Sequence, residues 1–232
     1  MARELLLLHS SDLHVQDPWP GLSPVPRAGL DGLAAVLDAA RTHAADVILL
    51  AGDTFDNHRV SGPVLARAAA LLMTAPAPVV VLPGNHDAAL PDCLFRRAGL
   101  TDMPGVAVLG VTHGEVVPFA ALDLDVVGRA HRGRNDLPPL ATLSRRARWQ
   151  VVMAHGHYVA PADWRLEAHR SWRIGDDDLA ACGADYVALG HWDRWERVGR
   201  AAYYSGSPDL TGTVNLVRLR EDTEADVTRV PL

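Results

Sequence analysis

The chain contains no lysine: all 22 basic residues are arginine. It holds only six glutamates against 22 aspartates, and two cysteines in 232 residues. Without lysine there is no Schiff-base chemistry and no GK[ST] phosphate loop. Cys93 and Cys182 form neither a CxxC nor a dense framework, which points to a cytoplasmic setting. No apolar run is long enough to span a membrane. The first residues lack the features of a secretory signal, because Glu4 stands there and the apolar run is only Leu5–Leu8. A formal charge of −6 excludes a broadly basic nucleic-acid binder, and 48% apolar against 22% charged residues excludes a disordered chain. The missing lysine, with abundant Ala, Gly, Pro and Arg, reads as coding bias. The 11 histidines and the aspartate surplus have to be judged by position.

Short apolar runs recur, and each ends in polar or glycine-containing sequence. Leu5–Leu8 leads into His9-Ser10-Ser11-Asp12, Val47–Ala51 into Gly52-Asp53, and Val79–Leu82 into Pro83-Gly84-Asn85. Val151–Ala154 leads into His155, and Tyr186–Leu189 into Gly190-His191. Such runs predict buried strands of a largely parallel sheet. Leu30, Leu33, Val36, Leu37 and Ala40 predict a helix, and so do Val64, Leu65, Ala68, Leu71 and Leu72. Strand–helix–strand alternation implies βαβ crossovers. Glu115–Phe119 and Leu122–Val127 predict a hairpin, and Ala201–Ser205, Val214–Leu219 and Asp226–Val230 closing antiparallel strands. Pro18–Pro26 holds four prolines and predicts a surface loop. Two sheets with helices outside, in one domain over residues 1–232, is the expected sum.

Five predicted strand ends each deliver Asp, Asn or His: Asp12-Leu13-His14, Gly52-Asp53, Gly84-Asn85-His86-Asp87, His155, and Gly190-His191-Trp192-Asp193. In open α/β sheets the carboxyl ends of strands form the ligand crevice, so these residues can converge. Carboxylate, amide oxygen and imidazole are metal ligands, and there are too many for one tetrahedral zinc site. His155 is preferred over its neighbour His157 because it directly ends the apolar run. His157 is then a substrate contact or a surface residue. His9 has the opposite strand parity to Asp12 and is expected to be structural. Any single Asp here could be a turn or cap residue, but not the whole ordered set.

In this order the motifs resemble the calcineurin-like metallophosphoesterase superfamily, over residues 9–193. The resemblance implies an α/β fold, a four-layer α/β/β/α sandwich of two mixed sheets. It implies two divalent metal ions, with Asp12, His14, Asp53 and Asp193 at the first and Asn85, His155 and His191 at the second, and Asp53 bridging. Two such cations clamp an in-line displacement at phosphorus and lower the pKa of a water between them. His86 is implied as the general acid, with Asp56 orienting it and Asp87 as the competing candidate. The usual last histidine of the set is replaced by Asp193, which would bind directly or through a water. Three carboxylates and one imidazole bias that site toward Mn²⁺ or Mg²⁺, with Mn²⁺ expected and Fe or Zn²⁺ as alternatives.

Gly183–His191 followed by Tyr203-Tyr204-Ser205-Gly206-Ser207-Pro208 resembles, more narrowly, the bacterial DNA repair exonucleases that pair with a coiled-coil ATPase. The chain stops at Leu232 without their capping domain and ATPase-binding segment, which argues against such a partner. Arg129, Arg132, Arg134, Arg145, Arg146 and Arg148 face one acid, Asp136, over residues 129–148, and could grip a phosphate backbone. Trp164, Trp172, Trp192 and Trp195 flank the last motifs, and Trp19 lies in the proline-rich loop. Trp192, between two candidate ligands, could stack on a base, although core packing is the commoner fate of tryptophan. The expected activity is a phosphodiesterase on nucleic acid ends or nucleotides, with His157, Trp192 and Arg129 as substrate contacts. The alternatives are a small-molecule phosphomonoesterase and a non-catalytic scaffold. The scaffold predicts loss of His86 or of several ligands.

Overall fold

The computed structural model describes residues 4–18, 28–133, 138–141, 144–160 and 172–232. In chain order the strands are β1 (Leu5–Ser10), β2 (Val47–Ala51), β3 (Val79–Leu82), β4 (Val106–Val108), β5 (Val116–Phe119), β6 (Leu124–Gly128) and β7 (Trp149–His155). They continue with β8 (His157–Tyr158), β9 (Arg173–Ile174), β10 (Tyr186–Gly190), β11 (Glu196–Val198), β12 (Ala202–Tyr204), β13 (Thr213–Leu219) and β14 (Asp226–Pro231). The helices are α1 (Gly29–Thr42), α2 (Gly62–Leu72), α3 (Leu94–Arg97), α4 (Asp176–Ala181) and α5 (Pro208–Thr211).

Two six-stranded mixed sheets form, in the orders β14-β13-β1-β2-β3-β4 and β11-β12-β10-β7-β6-β5. The first is parallel from β1 to β4, and β13 and β14 close it antiparallel. The second is parallel across β12, β10, β7 and β6, with antiparallel β11 and β5 at its edges. β8 and β9 make a small separate parallel pair.

The period of two along each strand sorts residues into three apolar layers. Leu7, Leu49 and Val80 of the first sheet meet Val126, Val151, Met153 and Ala188 of the second. The next residues along, Leu8, Ile48, Leu50 and Val81, face outward onto Leu33, Val36, Leu37 and Ala40 of α1 and Val64, Leu65 and Ala68 of α2. On the far side, Val127, Val152, Ala154, Val187 and Leu189 pack on Leu140, Ala141, Ile174 and Cys182. Burial on both faces explains why the central strands are nearly continuous apolar runs. The fourth layer is thin: on the described residues it holds short α4 and loops.

The predicted strands, helices and hairpin form, with one change of place. Ala201–Ser205 does not join Val214–Leu219. It supplies β12 of the second sheet, parallel to β10 and antiparallel to β11. Gly199 at positive φ precedes it, on a short return from β11. The proline-rich segment, Trp19, Trp164, Arg134 and Asp136 lie outside the described residues. No helix among the described residues is long and apolar enough to cross a membrane.

A buried polar group stands in the inter-sheet layer. His9 Nδ1 is 2.8 Å from the Tyr186 hydroxyl, and Asn215 accepts from Trp195 Nε1 at 3.0 Å. Burial holds His9 neutral by lowering its pKa to about 3, so its role is structural, as its strand parity implies. Tyr186→Phe removes one partner and leaves a buried ring nitrogen with a weaker one. The expected loss is about 1–3 kcal/mol of folding stability, read from urea unfolding with an unchanged m-value.

Candidate metal centre

The five motifs sit at the carboxyl ends of β1, β2, β3, β7 and β10. β2 faces β7 and β10 across the sandwich, and β3 faces β7. Strands far apart in sequence therefore end at one place. Beyond the strand ends the loops stay zipped by backbone bonds: Asp12 to Gly52 and His14 to Asp53 at 3.0 Å, and Val15 to Thr54 at 2.9 Å.

The side chains gather into groups of candidate donors. Asp12, His14 and Asp193 form one, and Asp53, His155 and His191 another. Asn85 joins the second: its amide oxygen lies 3.0 Å from His155 Nε2 and 3.2 Å from His191 Nδ1. Asp53 binds both ways, accepting from the His86 amide at 2.9 Å through Oδ1 and lying 3.1 Å from His155 Nε2 through Oδ2. Asp12 accepts from the His191 amide at 3.0 Å. A third group, His14, Asp56 and His86, adjoins the first. The candidate ligands of the sequence reading thus lie close together, with Asp53 beside His155 and His191 and Asp193 beside Asp12 and His14.

Backbone conformation places these side chains at a cost. Eight non-glycine residues among those described have positive φ, and four are Asp12, His14, Asp53 and His191. Such conformations cost on the order of 1–3 kcal/mol each and persist where the surroundings over-determine them. Gly52 has φ +95, and a Cβ there would overlap the His155 ring. A Cβ at Gly84 would overlap the Asp53 carboxylate. These two glycines let the strand ends approach closely.

The donor chemistry fits divalent cations. His155 Nδ1 donates to the Ala51 carbonyl at 3.0 Å, which leaves Nε2 aimed at Asp53 and Asn85. Holding one imidazole nitrogen on a carbonyl and presenting the other is how metal-binding histidines are oriented. In the metal-free cluster a proton occupies that Nε2 position. Burial alone would lower the His155 pKa, but the Asp53 carboxylate outweighs it and the pKa rises to about 10. Burial opposes ionisation of Asp53, yet His155 holds that carboxyl well below the usual carboxylate range. His191 is neutral and lone-pair-bearing, its pKa lowered to about 3 by burial and then by the charge of His155. Burial raises the Asp12 pKa, partly offset by His155. His14 Nδ1 is buried with no hydrogen bond. It lies 3.3 Å from Asp56 Oδ1, close enough for an ion pair but not aligned for a bond.

Several sequence expectations change. His86 is oriented by the backbone carbonyl of Asp56, 2.6 Å from Nδ1, while the Asp56 carboxylate is 3.8 Å away and nearer to His14. Asp87, the competing candidate, faces away: its two oxygens accept from the amides of Phe55 and Gly84. Burial and then Asp53 raise its pKa to about 7. Arg129 is drawn off to Glu115 at 2.8 Å and the Pro138 carbonyl, not to the cluster. Arg145 holds Asp185 with both terminal nitrogens, Arg146 pairs with Asp125 at 3.4 Å, and Arg148 pairs with Glu221. Four of the arginines counted over residues 129–148 are thus paired with acids outside that stretch. Trp192 is no stacking platform: Tyr204 already stacks on it at 4.4 Å, and the Arg194 guanidinium lies 4.2 Å over its ring.

The sequence reading missed the platform below the last motif. Ser205 Oγ bonds Ser11 Oγ at 3.0 Å beside Asp12, and the Ser207 amide bonds the Asp193 carbonyl at 3.1 Å. The Tyr-Ser-Gly-Ser-Pro run was its signal, and it braces both halves of the first donor group.

The calcineurin-like phosphoesterase family profile matches residues 5–194. An uncharacterized metallophosphoesterase of Bacillus subtilis (strain 168), YhaO, is 32% identical over 210 residues, covering 82% of this chain and 49% of YhaO. The chain therefore spans about half the length of that relative. A solved structure, TT1561 of Thermus thermophilus, aligns over 99% of both chains with a TM-score of 0.60 at 15% identity, a likeness of fold.

Because His155 carries a proton below about pH 10 in the metal-free protein, cation uptake near neutrality must displace it. Calorimetry in buffers of different ionisation enthalpy should read about one proton released per ion at the Asp53–His155–His191 group. Apparent affinity should rise with pH, up to about tenfold per unit. The folding stability contributed by the Asp53–His155 pair runs the other way. It is fully present between the ordinary values of 3.8 for the carboxyl and 6.5 for the histidine, lost as pH rises through about 10, and lost again in acid as Asp53 is protonated.

Proposed function

The chain belongs to the calcineurin-like phosphoesterase family, and from that premise we propose that it is a metal-dependent phosphoester hydrolase, a binuclear phosphodiesterase acting on nucleotides or nucleic acid ends. The observation that carries this reading is the pair of donor groups, Asp12–His14–Asp193 and Asp53–His155–His191, with His86 at their side. Divalent ions held there, Mn²⁺ by preference, supply Lewis-acid activation of a phosphoryl oxygen and of water.

The chain's own residues define the rest. Asp53 ties its own group to His86, accepting from the His86 amide and lying 3.1 Å from His155 Nε2. Asn85 adds an oxygen donor without charge. The His86 Nδ1–H is committed to the Asp56 carbonyl, because a carbonyl only accepts, and this leaves Nε2 for the substrate. As general acid, His86 gives its Nε2 proton to the leaving oxygen. The Asp56 carboxylate lies 3.8 Å from His86 Nδ1.

Charge supports a diester. Two divalent ions against Asp12, Asp53 and Asp193 would leave one net positive charge. A diester monoanion complements that field, whereas a monoester dianion overfills it. Arg129, Arg145, Arg146 and Arg148 do not alter the sum, being tied to other acids. With the arginine grip and the free Trp192 face both gone, support shifts from a long duplex toward a short substrate, a nucleotide or a strand end.

A panel of bis-p-nitrophenyl phosphate, p-nitrophenyl phosphate, cyclic nucleotides and end-labelled DNA, each with Mn²⁺, tests the reading. Diester hydrolysis well above monoester hydrolysis is expected, and the reverse ranking makes the protein a phosphomonoesterase. His86→Ala should lower kcat by about 10²–10⁴-fold with metal content unchanged. Asp56→Asn should cost less, because the bond that orients His86 comes from the main chain. Asp193→Ala should weaken one of the two ions. Unchanged stoichiometry and affinity by metal titration would remove Asp193 from the ligand set.

A further inference from the structure

His157 is held from three sides. Its amide donates to the Trp172 carbonyl at 2.8 Å. The Tyr204 hydroxyl fixes the backbone on both flanks, donating to the Gly156 carbonyl at 2.7 Å and accepting from the Tyr158 amide at 2.9 Å. The side chain is fixed by Trp192, whose Nε1 lies 2.9 Å from His157 Nδ1. Tyr204 also stacks on Trp192 with the rings 14° from parallel, so one tyrosine sets both the backbone and the indole that meet at His157. The His157 ring lies against His191, with centroids 5.9 Å apart at 80°. It therefore adjoins the Asp53–His155–His191 donor group.

The indole N–H can only donate. His157 Nδ1 must then be the acceptor and carries no proton, so the neutral ring bears its proton on Nε2. An unconstrained imidazole would divide between tautomers and rotamers. Here both are selected by residues that do not themselves belong to the donor groups. Nothing in packing alone requires an N–H···N bond between two half-buried rings at the rim of a charged cluster.

We propose that Trp192 is a positioning residue that fixes His157 as an Nε2–H donor to the non-bridging phosphoryl oxygen on the His191 side, so that His157 and His86 serve different oxygens of the same phosphate. This rests on the phosphodiesterase reading above. It gives the tryptophan between two ligands a role through its N–H rather than its π face.

The test uses the full chain loaded with Mg²⁺ and two readouts that need no turnover. In long-range ¹H–¹⁵N correlation spectra of [¹⁵N]histidine-labelled protein, His157, assigned by its loss in His157→Gln, should show an unprotonated Nδ1. Trp192→Phe keeps the stack on Tyr204 and the contact with Arg194 but removes the N–H, and should give a mixed tautomer. Its affinity for inorganic phosphate should fall by about three- to tenfold, the worth of one net hydrogen bond. His157→Ala should lose as much, His157→Gln should recover most of it through its amide N–H, and Trp192→Phe should add nothing in a His157→Ala background. On bis-p-nitrophenyl phosphate the loss should fall on KM, with kcat within about twofold. A proton on Nδ1 in the wild type overturns the proposal. So does a Trp192→Phe effect on phosphate affinity that persists undiminished in the His157→Ala background. If the wild type hydrolyses nothing in the panel, the phosphodiesterase reading falls, while tautomer and phosphate affinity still decide this one. Should Trp192→Phe fail to fold, the wild-type tautomer and the comparison of His157→Gln with His157→Ala decide it.

Discussion

The contact between Asp53 and His155 is the constraint on which the rest of the site depends. One residue ends β2 of the first sheet and the other ends β7 of the second, and both are nearly or wholly buried. An ionised carboxylate at that depth is tolerable only against a positive charge, whether a proton on His155 or a cation in its place. The pair therefore fixes the distance between the sheets where their strands end. Gly52 and Gly84 are small because this approach leaves no room beside either partner. Asn85, His86 and His191 are then oriented by bonds to one or other member of the pair, or to its immediate neighbours.

What was legible in the sequence follows from range. The central strands and the two long helices are encoded by local periodicity, and every motif is a strand with its own following turn. Five such turns carrying metal-binding side chains specify a convergent site without any knowledge of pairing, because parallel strands must end at one edge. What was not legible depends on partners distant in sequence. Arg145, Arg146 and Arg148 look like a basic patch when counted against Asp136. Folding brings Asp185, Asp125 and Glu221 to them. Trp192 looks like an aromatic platform until Tyr204 and Arg194 are placed against it. The Asp56 side chain and its backbone oxygen cannot be distinguished at the level of a motif, yet they divide the work: the carbonyl orients His86 and the carboxylate stands beside His14. The sheet assignment of Ala201–Ser205 was ambiguous for the same reason, since an apolar triplet encodes strand but not neighbour.

The second sheet's last strands do more than close the fold. β12 ends in Tyr204, and the turn after it carries Ser205 and Ser207. The tyrosine stacks under Trp192, Ser205 bonds Ser11 next to Asp12, and the Ser207 amide holds the Asp193 carbonyl. One short segment thus buttresses the Asp12 loop and the Asp193 turn, which approach from different sheets. This matters more because the last candidate donor is an aspartate. A carboxylate is shorter than an imidazole, so the backbone that carries it must be held at a set distance if it is to reach the same ion.

Stability and function oppose each other at this edge. Asp12, His14, Asp53 and His191 all adopt left-handed backbone conformations, and Asp12, Asp53 and Asp87 bring three carboxyls into the buried volume behind them. The responses differ by partner. Asp53 stays ionised because His155 answers it directly. Asp87, held by two amides, is driven up to about 7 by burial and by the charge of Asp53. Burial also shifts Asp12 upward, and His155 only partly offsets it. A divalent ion held beside Asp12 would supply the countercharge that the protein only partly provides there. The protein matrix thereby favours the metal-loaded state, because the metal-free state carries backbone strain and desolvated charge that its own side chains only partly offset.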